Sequence, residues 1–230
     1  MTGAVFYVGP SVLDGAPIVA VATVGTSNRK TGDMIQTWIL RADRHPVESV
    51  RSGADASICG DCPHRGTACY VTVAHAPSAV WLAWKRGSYP TASLADVVAR
   101  HKRPVRLGAY GDPVAVPIGA WQGLGERWTG YTHAWRRPEA TPFRSLVMAS
   151  CDTSSDFREA RRAGWRCFVV DPLGKQHRLG RSKVIECPSA RGVTCADCGL
   201  CAGMSSRTAK APSIRIGAHG INARKVGATA

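Results

Sequence analysis

The chain has 230 residues, 44% of them hydrophobic, and a formal charge of +14 from 30 basic and 16 acidic side chains. That suffices for one large domain or a closely merged pair, while no apolar run approaches the roughly 20 residues of a membrane span. The start, MTGAVFYVGP, lacks the basic and long apolar regions of a signal peptide. The expected setting is therefore a reducing cytoplasm, where clustered cysteines serve metals or catalysis more often than disulfides.

In chain order, apolar runs at Ala4 to Val8, Ile18 to Val24 and Ile35 to Leu40 predict three strands. The polar stretch from Gly25 to Asp33 joins the last two as a hairpin, and residues 1–56 read as a β-rich N-terminal part. Beyond the first cysteines, residues 57–230 alternate helix and strand. Pro77 opens a helix ending near Gly87, and Ser93-x-x-Asp96 caps a second reaching about Lys102. A strand from Val105 to Tyr110 stops at Gly111-Asp112-Pro113, and a helix around Ile118 to Leu124 follows. Leu146 to Ser150 is the next strand, Thr153-x-x-Asp156 caps a helix closed by Gly164, and strands follow at Cys167 to Val170, Lys183 to Glu186 and Ile214 to Gly217. Strand, helix, strand at this spacing indicates parallel βαβ units. An eight-unit barrel needs about 250 residues, so the expected fold is α/β: a reduced, partial βα barrel, merged with its β-rich N-terminal segment and carrying cysteine-rich metal-binding loops.

Seven of the nine cysteines form two tight groups. Cys195, Cys198 and Cys201 follow one another at intervals of three, the spacing with which ferredoxins wrap a cubane cluster, and Cys187-Pro188 supplies a remote fourth ligand. Zinc sites more often separate two C-x2-C pairs by a longer loop, so the expected cofactor is a closed [4Fe-4S] cluster, with zinc as the alternative. Cys59, Cys62 and Cys69 form a trio. Held by three thiolates, a cluster keeps one position open for substrate or cofactor; with His64 as fourth ligand, the same residues make a plain Cys3His zinc knuckle. Cys151, at a strand's carboxyl end, is a candidate site lining, and Cys167 reads as core.

In βα folds chemistry gathers at the carboxyl ends of the strands, here Tyr110, Asp112, Cys151, Asp152, Asp171 and His219. Asp112, Cys151 and His219 are the candidate catalytic residues. Each has a plainer reading, Asp112 as a turn cap and His219 as a surface histidine. Tyr131, His133 and Trp135 alternate as on one strand face, able to stack a base or simply half-buried. The positive balance, densest at Arg136-Arg137, Arg158 to Arg166 and Arg178 to Lys183, suits a nucleic acid or nucleotide partner or reflects an arginine-rich source.

Several stretches carry a resemblance: SICGDCPHRGTACYV at 57 to 71, LGAYGDP at 107 to 113, the strand-helix-strand from Leu146 to Val170, and CPSARGVTCADCGLCAG at 187 to 203 with AHG at 218 to 220. On these the chain resembles an uncharacterised group of phage-encoded cysteine-rich proteins and, more distantly, the radical S-adenosylmethionine superfamily. The second resemblance implies a partial barrel whose first cysteine loop holds a reactive cluster, S-adenosylmethionine as a candidate cofactor, and Tyr70 and Tyr110 as cofactor contacts. Cys69-Tyr70 keeps the superfamily's aromatic neighbour. The C-x2-C-x6-C spacing departs from its C-x3-C-x2-C, and its Gly-Gly-Glu segment is missing. The expected function is a phage-type iron–sulfur enzyme, cytoplasmic in a bacterial host, acting on a nucleotide or nucleic acid. The alternative is a non-enzymatic zinc- or cluster-containing nucleic-acid-binding protein.

Overall fold

The structure, a computed structural model, describes residues 3–25, 28–205 and 208–227. The expected mixed α/β class is met. Strands β1 (Gly3–Pro10), β2 (Pro17–Thr23) and β3 (Ile35–Arg41) form an antiparallel meander in which Ile18 pairs with Arg41 and Thr23 with Gln36. The expected hairpin is therefore present, with Thr26 and Ser27 of its connection outside the described residues. From β3 onward every pairing is parallel, through β4 (Val105–Tyr110), β5 (Trp128–Thr132), β6 (Met148–Cys151), β7 (Cys167–Asp171), β8 (Val184–Glu186) and β9 (Ser213–Gly217). The order is β1-β2-β3-β4-β5-β6-β7-β9-β8, one sheet with β1 and β8 at its edges, so it is open. The β3–β4 pairing carries the sheet from the N-terminal part into the rest without a break.

Helices α1 (Pro46–Arg51) and α2 (Ala56–Cys59) follow β3, α3 (Ala76–Lys85) and α4 (Leu94–His101) precede β4, α5 (Ser154–Arg162) joins β6 to β7, and α6 (Cys195–Cys198) precedes β9. The caps form as the sequence indicates: Ser93 Oγ accepts from Asp96 N, and Thr153 Oγ1 from Asp156 N. Around Ile118 the chain winds only as a 3-10 turn, Ile118–Trp121. Gly119 weakens a helix there, and Gly123 and Gly125, both at positive φ, end it, so the α-helix that the apolar residues suggest does not form.

Strand alternation sorts the two faces of the sheet. Ala149, Cys151, Cys167 and Val169 lie in the main core with Phe157 and Ala160 of α5, while Met148 and Ile214 pack with Cys201, Cys187, Tyr131 and Phe168 in a second cluster. Two glycines set close approaches. At Gly111 (φ +85°) a Cβ would stand 2.7 Å from Ile39 Cβ and 2.9 Å from its carbonyl oxygen, so only glycine lets the end of β4 pass this close to β3. At Gly203 (φ +62°) a Cβ would meet three backbone atoms of Arg144 and Val147 at 2.7 Å, which seats the loop after Cys201 on the start of β6.

Candidate metal centres

The first cysteine group begins at the end of α2, between β3 and β4 in the chain. Cys59 closes α2, and a sequence of tight turns follows: Cys62 N donates to Cys59 O, Arg65 N to Cys62 O, and Cys69 N to His64 O at 2.8 Å. Arg65 straps this loop, donating to Gly53 O, Gly60 O and the buried carboxylate of Asp55. The three thiols share one field. Burial pushes Cys59 well above the ordinary thiol range, and Cys62, Asp55, Cys69 and Asp112 push it further. Cys69 is raised by burial and again by Cys62. A cation bound here would have to displace the protons that burial favours on Cys59 and Cys69, and would relieve the repulsion between neighbouring sulfurs.

Tyr110, at the end of β4, bears on the same place. Its ring is buried, and its hydroxyl has no hydrogen-bond partner among the described residues. Burial raises its pKa, and the neighbouring Cys59, Asp55 and Cys69 raise it further. A buried donor without an acceptor costs about 1–3 kcal/mol. Sulfur ligands or sulfide held by the trio would satisfy it.

His64 does not turn to the trio. Its Nε2 lies 2.8 Å from Asp152 Oδ1, and His133 Nε2 lies 2.9 Å from Asp152 Oδ2, with the two rings edge to face at 5.7 Å. Asp152 follows β6 and His133 follows β5, so both stand at carboxyl ends of parallel strands. Burial works against the charge on His133, yet Asp152 and the Cys62 thiol outweigh it and raise its pKa well above the usual imidazole value. Burial likewise opposes ionisation of Asp152, and the two histidines overcome it, holding the carboxyl far below its usual range. These three side chains are the one group of three or more His, Cys, Asp or Glu among the described residues whose ligand atoms all lie within 4.8 Å of one another. They line a cavity of about 290 Å³ together with Asp61, Trp135, Arg136 and Asp156.

The second cysteine group converges on the opposite side of the sheet from α5. Cys187 follows β8, Thr194 Oγ1 caps α6 by accepting from Asp197 N, and Cys201 lies in the next loop. Backbone bonds anchor the loop to the body: Cys195 N to Lys30 O, Ala196 N to Thr31 O, and Gly130 N to Cys201 O. All four cysteines line one small cavity of about 20 Å³, with Thr129, Tyr131 and Ile214. Burial pushes the Cys201 thiol up to about 12, Cys195, Cys187 and Cys198 adding to it while a Tyr131 hydrogen bond opposes. Arg166 holds the frame. It is 1% exposed and donates to four carbonyls, Ala211, Leu200, Gly203 and Pro212, at 2.6–3.2 Å.

Between the groups lies Arg106, whose Nη2 donates to Tyr70 OH at 2.6 Å. Burial lowers its pKa, but Tyr70, Tyr131 and Cys195 more than restore it. Tyr70, next to Cys69, also stacks on His219 at 6.3 Å.

The candidate catalytic residues fare differently. Asp112 is buried and its carboxylate is committed internally, accepting from Val114 N, Thr132 Oγ1 and His133 N at 2.9–3.0 Å. It braces the turn that aims His133. Cys151 is fully buried on the α5 face and hydrogen-bonds Cys167; that bond, burial and the second thiol together raise its pKa. It therefore faces the core rather than the trio. His219 is exposed beside Tyr70. The reading of Tyr131, His133 and Trp135 as one strand face is corrected: β5 ends at Thr132, where Asp112 captures His133 N, and Trp135 turns inward to donate to Ser150 O. Tyr131 instead packs on Phe168 at 4.2 Å, beside Cys201. Local spacing does not show the role of His133, because its partners His64 and Asp152 lie 69 residues before it and 19 after it.

Comparison with known proteins finds no matching family model, no similar curated protein and no similar solved structure. Among the described residues no helix is long and apolar enough to cross a membrane.

Proposed function

We propose that the chain is an iron–sulfur protein whose open sheet is the remnant of a partial βα barrel. In this reading Cys59, Cys62 and Cys69 hold a [4Fe-4S] cluster with one open position, and Cys187, Cys195, Cys198 and Cys201 hold a closed one. The observation that carries it is the trio's setting: three electrostatically coupled thiols after α2, two of which act on a buried Tyr110 hydroxyl that has no hydrogen-bond partner among the described residues. Each thiol group is tied together electrostatically, yet in neither do three sulfurs lie within 4.8 Å of one another. The successive three-residue spacing of Cys195, Cys198 and Cys201 is what favours iron over zinc.

A bound cluster would supply one-electron chemistry at the trio and electron transfer at the quartet. The protein's own residues support that division. Tyr110 offers a hydrogen bond beside the trio, Arg65 and Asp55 fix its loop, and Arg106 and Tyr70 occupy the space between the two groups. The residues suit S-adenosylmethionine less well: Asp112, the carboxylate ending β4, is occupied by internal donors and is not free for an amine. The substrate class that the formal charge of +14 favours is a nucleotide or nucleic acid.

Anaerobic reconstitution with iron and sulfide tests the reading. Two clusters require about eight irons per chain and a broad visible charge-transfer absorption. Cysteine-to-serine variants of the trio should keep about half of that iron. A colourless protein holding stoichiometric zinc after iron-replete expression would sink the proposal and leave the zinc-bearing nucleic-acid binder in its place.

A further inference from the structure

His64, His133 and Asp152 belong to neither cysteine group, yet they meet from three separate parts of the chain. Both Nε2 atoms address the two oxygens of one carboxylate, at 2.8 and 2.9 Å. Their side chains are 15–20% exposed, open to the cavity of about 290 Å³ and otherwise enclosed. We propose that these residues form a separate site for one divalent cation, with a two-histidine, one-carboxylate donor set. The atoms already lie within 4.8 Å of one another, so an ion entering among them displaces protons and needs only small side-chain adjustment.

The chemistry of the donors sets the kind of ion. Imidazole and carboxylate suit Mn²⁺, Fe²⁺ or Zn²⁺, and without thiolate they do not compete for the softer metals that the cysteines attract. Three protein ligands leave positions vacant, as catalytic rather than structural ions require, and here those positions face a cavity large enough for water and a small polar molecule. The ligands are also braced from behind. His133 contacts the Cys62 thiol as well as Asp152, its backbone N–H is fixed by Asp112, and Asp152 N donates to Asp156 Oδ2 at 3.2 Å. Partners of this outer kind orient metal-binding histidines. Through His133 and Cys62 the cation would also touch the trio, while its own binding needs no cysteine.

Mn²⁺ is the probe, followed by the loss of its free-ion electron paramagnetic resonance signal in protein whose cysteine sites have first been reconstituted. One Mn²⁺ per chain should bind saturably. His64→Gln and Asp152→Asn should each weaken binding about tenfold or more while leaving sulfide content and the visible cluster absorption unchanged, which keeps this test separate from that of the clusters. Circular dichroism checks that the variants fold. In the wild type, echo-modulation spectra of the bound Mn²⁺ should show nitrogen couplings from imidazole, a readout that needs no variant. Absence of saturable binding, equal binding in wild type and both folded variants, or a bound ion without nitrogen couplings would overturn the proposal and reduce the group to a hydrogen-bonded network.

Discussion

Tyr110 is the residue that can distinguish a metal-holding trio from a merely cysteine-rich loop. Without a cation nearby, its buried hydroxyl carries an unmet desolvation cost, so Tyr110→Phe should leave metal-free protein unchanged or more stable by about 1 kcal/mol. Urea denaturation measures this. If the trio holds the proposed cluster, the same change would remove a hydrogen bond to its sulfur, and the reduction potential of the reconstituted protein should fall. If Tyr110→Phe destabilises the metal-free protein by a full hydrogen bond, the hydroxyl has another partner and its link to the trio is lost. Cys151 makes the complementary case. Because it faces α5 and Cys167, Cys151→Ala should leave iron content untouched, whereas Cys59→Ala should lower it.

At the scale of elements, Arg166 organises the second cysteine group more than any residue within it. Its guanidinium collects carbonyls from both ends of the loop, Leu200 and Gly203 on one side and Ala211 and Pro212 on the other. Burial lowers its pKa, and the carbonyl dipoles do what a carboxylate would do elsewhere. Arg166→Met strands those carbonyls and should cost about 3 kcal/mol or more. Hydrogen exchange should quicken first around residues 199–213, and the iron of the quartet should be lost before that of the trio. Uniform loss of both groups would show that Arg166 merely stabilises the whole body. What the sequence made legible here follows from range. The caps at Ser93 and Thr153 and the C-x2-C-x2-C run depend on neighbours within a few residues, so their spacing carried the information. His64, His133 and Asp152 are brought together by strand order, and Arg166 by carbonyls 34 or more residues away, and neither leaves a local pattern. The end of β5 was obscured for the same reason, since Asp112 stops the strand from 20 residues upstream.

Across the whole molecule, the fold decides how much of the positive charge is on offer to a partner. Of the three dense basic stretches, Arg136 is tied to Asp156 and Glu159 and Arg137 to Asp61, and Arg166 is buried among carbonyls, while Arg158, Arg161 and Arg162 lie exposed on α5. Arg178, Arg181 and Lys183 remain exposed, on the segment that leads into β8 at the sheet's edge. If the chain acts on nucleic acid, these side chains are placed to meet phosphates. Each phosphate neutralised contributes about 0.9 to the slope of log affinity against log salt on duplex DNA. Replacing all three with glutamine should therefore flatten that slope by about 2–3, with affinity falling alike for unrelated sequences. Fluorescence anisotropy of labelled duplexes across a salt series measures both. A slope unchanged by the triple replacement would move the contact surface elsewhere, and salt-independent binding would mean that the basic balance reflects composition alone, leaving a small-molecule substrate for the cavity beside Asp152.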